Sequence, residues 1–119
     1  MGLTWSSYAV ADTEVLVLVL VGELTRGTAG QLEAQLAHML ARTGSILVID
    51  LAAVNHCDRA GLDMIEACQR TAVVAGVVMR LAAPSPAVSQ ALDATGLADV
   101  LAVFRSVDAA SRHRAAERD

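Results

Sequence analysis

The chain has no lysine, and all nine of its basic residues are arginines. That absence removes two chemistries together, the phosphate-gripping lysine of a Walker-type loop and the amine of a Schiff base. Aromatic residues make up only 3% of the chain, and the formal net charge is −4. With few ring faces for bases to stack on and no basic excess to meet phosphates, nucleic acid is not an expected partner. Long hydrophobic runs are missing as well. The longest, Val15 to Val21, spans seven residues, against the roughly 20 that cross a bilayer, so no membrane partner is expected either. The start Met1-Gly2-Leu3-Thr4-Trp5 has no basic segment, and no secretory leader is expected. Cysteine is limited to Cys57 and Cys68. Across a helix start, at about 1.5 Å per residue, they stand roughly 15 Å apart, too far for an internal bridge. The chain reads as cytoplasmic.

What is present is aliphatic. Hydrophobic residues are 55% of 119, enough for a single domain over residues 1–119 with a core of Ala, Val and Leu and no need of disulfides or metal. Strands are expected at about Trp5 to Ala11, Val15 to Val21, Ser45 to Leu51, Val77 to Leu81 and Ala102 to Phe104. The first two are joined by Asp12-Thr13-Glu14, which suggests a hairpin. Helices alternate with the later strands. Thr28 is placed to cap a helix with apolar face Leu32, Leu36, Met39 and Leu40, ended by Gly44. A second helix should run from Arg59 to Ala75 with Leu62, Ile65, Cys68 or Gln69, Ala72 and Val73 inward, stopped by Gly76. Ser85 before Pro86 opens a third, closed by Gly96, and a fourth begins near Ser106. Strands separated by helices favour parallel neighbours and right-handed crossovers. The expected fold class is therefore α/β: a small mixed β-sheet of four to five strands, about four helices mainly on one side, and a tail over residues 112–119 that frays.

Function is most legible from Leu47 to Ile65. The continuous run Leu47-Val48-Ile49 suits a strand covered on both faces. Asp58 then stands where a helix N-cap belongs, its carboxylate ready to accept from free N–H groups of the next turn. A general base, a phosphoacceptor or a metal ligand are the other roles open to it, although no second carboxylate has the spacing to form a pair with it. His56-Cys57-Asp58 suggests a triad or a zinc site. Three adjacent loop residues do not converge on one centre, however, and the spacings of established metal motifs are absent. Cys57 is expected to pack beneath the helix. Arg59 is placed on the first helical turn, facing the positive end of the helix dipole at a cost of roughly 0.3–1 kcal/mol when exposed. Gly22 and Gly27 flank Glu23-Leu24-Thr25-Arg26, a strand-to-helix loop in which glycine supplies unusual backbone angles.

Three short motifs in order carry a family resemblance. Asp58-Arg59-Ala60-Gly61-Leu62 resembles the Asp-Ser-Ser-Gly-Leu turn of the STAS domain found in bacterial anti-sigma factor antagonists. Val21-Gly22-Glu23-Leu24-Thr25 is similar to that family's Gly-Glu-Leu-Asp turn, and Leu81 to Leu97 to its Asn-Pro-helix-Thr-Gly-Leu segment. The resemblance covers the chain up to about Val107. It implies a non-enzymatic regulator, without cofactor or metal, that binds a serine-kinase anti-sigma factor through Glu23, Leu24, Thr25, His56, Asp58, Arg59, Ala60, Gly61 and Leu62. It also implies that Arg59 replaces the serine phosphorylated by that kinase, with Ala60 removing the neighbouring hydroxyl and Thr25 replacing an aspartate. The alternative partners are other STAS or sensor proteins in a scaffold, and a homodimer is a further expectation.

Overall fold

The computed structural model describes residues 2–42 and 46–113. Strands β1 (Leu3–Ala9) and β2 (Val15–Leu24) form an antiparallel hairpin. Its turn is set by Asp12 at φ 62° and by the Thr13 hydroxyl, which donates to the Val10 carbonyl at 2.8 Å. Helix α1 (Ala29–Arg42) leads to β3 (Ile46–Cys57), α2 (Arg59–Ala75) to β4 (Val78–Ala82), and α3 (Pro86–Thr95), with one 3-10 turn at Leu97–Asp99, to β5 (Val103–Phe104). Helix α4 (Val107–Arg112) follows. The sheet order is β1-β2-β3-β4-β5, and every pair after the hairpin is parallel. The mixed α/β sheet with helices between the parallel strands is thus the observed architecture. Gly44 and the tail beyond His113 lie outside the described residues.

Alternation along the strands divides the core into two layers of unequal size. Leu18, Leu20, Leu47, Ile49 and Leu81 turn to one face and pack with Leu32 and Leu36 of α1, Leu62 and Ile65 of α2, and Val88 and Leu92 of α3. Val17, Val48 and Ala82 turn to the other, where Ala110 of α4 meets them. Right-handed crossovers taken repeatedly in one direction put α1, α2 and α3 on the same side. Arg80 also belongs to the smaller layer. It is only 4% exposed, its guanidinium donates to the Ala110 carbonyl at 2.7 Å, and it lies 5.7 Å from the centre of the Phe104 ring.

Local chemistry accounts for most helix ends. Ser85 accepts from the Val88 N–H, Ser106 from the Ala109 N–H, and Gly76 and Gly96 end their helices in the left-handed region. Thr28 departs from expectation. Its carbonyl accepts the first bonds of α1, but its hydroxyl accepts from the Thr25 N–H and donates to the Glu23 carbonyl, so the side chain ties the preceding loop instead of capping the helix. Val73 departs too. It is 66% exposed, while Met64 is buried, which rotates the apolar stripe of α2 toward Gly61, Leu62, Ile65, Cys68 and Ala72.

Candidate functional site

Both central strands run further than their apolar stretches. β2 continues past Val21 to Leu24, and β3 past Leu51 to Cys57, with Glu23 paired to His56 and Leu24 to Cys57. The pairing survives two register shifts, between Val19 and Val21 and between Gly22 and Glu23. At the first, the Asp50 carboxylate accepts the Ala52 N–H at 3.0 Å, giving the irregular backbone a local partner. At the second, Gly22 has φ 119°, and a Cβ there would stand 2.2 Å from the Gly2 carbonyl oxygen. His56 and Cys57 therefore belong to a strand end and not to a loop. The loop on the other strand is shortened to the turn from Thr25 to Thr28.

Asp58 joins these two segments. Its Oδ1 accepts from the Gly61 N–H at 2.9 Å, which is the helix cap, and its Oδ2 accepts from the Arg26 N–H at 3.1 Å, which reaches across to the Thr25–Thr28 turn. The Asp58 N–H in turn donates to the Leu24 carbonyl at 3.1 Å. One residue thus fixes the helix start, the neighbouring turn and the end of β2. Partial burial opposes the charge on Asp58, but the N–H groups of Gly61, Arg26 and Ala60 and the nearby His56 outweigh it, so the carboxyl is held below its ordinary 3.8.

Close packing reinforces the junction. A Cβ on Gly61 would sit 2.3 Å from the Leu24 carbonyl oxygen and 2.9 Å from the Leu24 Cγ, so α2 can approach β2 this closely only with glycine there. Leu24 and Leu62 are fully buried on either side. Leu24, Gly61 and Leu62 are buried, beneath the other residues of this group. Glu23, Thr25, Asp58 and Ala60 are partly exposed, and His56 and Arg59 are exposed. The Arg59 side chain is 71% exposed, with its Nε 3.6 Å from Asp63 Oδ1. So long and open an ion pair holds the arginine loosely. Further along the outer face of α2, Glu66 and Arg70 form a similar pair.

Burial, with help from the Asp58 charge, pushes the Cys57 thiol up to about 11, which keeps it protonated and unreactive near neutrality. Cys68 is raised to about 11 by its own burial and by Glu33. Among the described residues no group of three His, Cys, Asp or Glu side chains could hold a metal ion. What the geometry does provide is a braced surface with mixed charge: Glu23 beside His56, the Thr25–Thr28 turn, and Arg59 at the head of a helix. The signal that sequence reasoning missed was the bond from Arg26 to Asp58, because it is a backbone donor whose residue type carries no information.

The STAS domain pattern matches residues 8–110 of the chain. An anti-sigma factor antagonist from Mycobacterium paratuberculosis has a similar solved structure, with a TM-score of 0.79 and 26% identity over 98% of this chain and 95% of that one. The phosphorylated form of the Bacillus cell fate determinant SpoIIAA gives a TM-score of 0.63 at 16% identity, covering 88% of this chain and 94% of its own. A sulfate transporter family protein from Wolinella succinogenes gives 0.69 at 20% identity, covering 87% and 86%. At those identities the last two likenesses concern the fold alone. No curated protein sequence matches the chain.

Proposed function

The chain belongs to the STAS domain family, and from that premise we propose that it is a non-enzymatic regulator of the anti-sigma factor antagonist kind, acting in the cytoplasm by binding a serine-kinase anti-sigma factor. The observation that carries the reading is the Asp58 bridge, which holds the Thr25–Thr28 turn and the first turn of α2 in one surface through Arg26 and Gly61. Glu23, Thr25, His56, Arg59 and Ala60 supply contact atoms, Asp58 braces them, and Leu24, Gly61 and Leu62 support them from below. The likeness to an anti-sigma factor antagonist at 26% identity supports the same assignment. None of the described helices is long and apolar enough to cross a membrane, in keeping with an antagonist that meets its partner in solution.

In this reading Arg59 makes the antagonist unswitchable at the usual site. The kinase finds a guanidinium where its target hydroxyl would be, and Ala60 offers no substitute. Restoring the hydroxyl tests both halves of the proposal. Wild-type protein incubated with the host's anti-sigma kinases and ATP should bind without gaining phosphate on residues 58–62. Arg59→Ser should gain one, because backbone N–H groups at a helix start favour an anion. Intact mass and a pull-down read the outcome. Failure of both proteins to bind any such kinase would overturn the proposal in favour of a scaffold that assembles with other STAS or sensor proteins.

A further inference from the structure

Asp58 brings together two arginines that lie far apart in the chain. Its Oδ2 accepts the Arg26 N–H at 3.1 Å, and Arg59 is its immediate neighbour. Both arginines are exposed, one on the Thr25–Thr28 turn and the other on the first turn of α2. Neither is firmly held. Arg26 forms no ion pair among the described residues, and the contact of Arg59 with Asp63, through Nε at 3.6 Å, is too long for a hydrogen bond. The carboxylate between them is committed to the backbone, its two oxygens accepting from Gly61 and Arg26. Glu23, the other acid of this surface, lies beside His56 in the strand ladder. Arg59 also faces the positive end of the α2 dipole, an unfavourable place for a cation, and Arg26 adds a second positive charge to the same patch. Two loosely held guanidiniums on one braced surface suit the planar, forked recognition of a phosphate group.

We propose that Arg26 and Arg59 together clamp the terminal phosphate of the ATP carried by the partner kinase. The inference rests on the kinase reading above and adds how that complex is regulated. A residue that receives phosphate must bring its oxygen within reach of the γ-phosphorus, in line with the bond that breaks. In this chain that position belongs to Arg59, so docking in the same pose delivers a guanidinium to the γ-phosphate in place of a hydroxyl. Its length and loose pairing let it lie along the phosphate oxygens. With no hydroxyl at position 59 or 60, the phosphate stays on the nucleotide and the clamp persists. ADP offers the clamp nothing to hold. Binding is therefore strongest to ATP-loaded kinase, and the nucleotide state of the kinase supplies the control that phosphorylation of this chain does not.

Calorimetric titration of the full chain into the host's anti-sigma kinases, loaded with the non-hydrolysable analogue AMP-PNP or with ADP, tests the clamp. One hydrogen bond to a charged group corresponds to roughly tenfold in affinity or more, so wild-type protein should bind the AMP-PNP form at least about tenfold more tightly. Arg26→Ala is the sharper variant. Its bond to Asp58 comes from the backbone, so the substitution removes the guanidinium and leaves the bridge. Arg26→Ala and Arg59→Ala should each bring the ratio of the two affinities toward one, with unchanged circular dichroism spectra. Equal affinity of wild type for both forms would overturn the inference and leave the kinase reading standing. A preference that survives both alanine variants would overturn it as well, since the kinase would then be responding to its own change of shape. So would tight binding of AMP-PNP to this protein without kinase, which would make the patch a site for free nucleotide. Failure to bind in every nucleotide state would remove the kinase reading and the clamp with it.

Discussion

Asp58 shows what a single residue type can reveal and what only coordinates can. Its position between a strand and an amphipathic run marks it as a helix cap, and Gly61 is the donor such a cap requires. The second bond, from Arg26, changes what substitution should do. On capping alone, asparagine would replace aspartate at little cost. Asparagine has one acceptor oxygen, however, and its amide would turn a donor toward the Arg26 N–H. Asp58→Asn should therefore keep the cap and lose the bond to the turn, about 0.5–1.5 kcal/mol. Asp58→Ala should lose that and about 0.5–2 kcal/mol for the cap as well. Denaturant midpoints separate the two. Since the carboxyl is held below its ordinary 3.8, its stabilising contribution is complete above that pH and fades as the pH falls through the lower folded value. The gap between wild type and Asp58→Ala should accordingly close in acid.

At the level of elements, α2 was legible to the residue, because Asp58 and Gly76 are specific signals for a start and a stop. The ends of β2 and β3 were not. Their last residues include Gly22, Glu23, Asn55 and His56, which break the apolar pattern, and the pairing depends on register shifts that no local preference encodes. Glu23, Leu24 and His56 of the proposed surface lie on these extensions, where sequence alone put loops, whereas Asp58 and the residues to Leu62 were placed at the helix start they occupy. Gly61 was visible as part of a motif, while its physical reason lies in the contact with Leu24. Gly61→Ala sets two effects against each other. Alanine favours a helix by about 0.8–1 kcal/mol, whereas overpacking a tight junction costs about 1–3 kcal/mol. A backbone carbonyl 2.3 Å from the new methyl cannot turn aside as a flexible side chain would, so the second effect should win. A lowered denaturation midpoint and weaker kinase binding should appear together as α2 is lifted from β2.

For the molecule as a whole, the alternation of strands and helices foretold a mixed sheet with parallel neighbours after an opening hairpin, and that is what forms. The thin second layer was harder to foresee. It depends on Arg80, an arginine within an apolar strand, whose partner is a backbone carbonyl thirty residues away. Arg80→Met should therefore act unevenly. Removing the donor costs the Ala110 carbonyl a bond to a charged group, about 1.5–3 kcal/mol, and hydrogen exchange should quicken across Val107–Arg112 while β2 and β3 keep their protection. The strand order has a different consequence, for how the chain first acquires its shape. Each strand lies beside the one made just before it, so no segment emerging from the ribosome must wait for a later one to be threaded between its neighbours. The hairpin can form first and act as a template for β3, then β4, then β5. Assembly can follow the direction of synthesis, and the junction at Asp58 is complete as soon as α2 has emerged, while the last third of the chain is still being made.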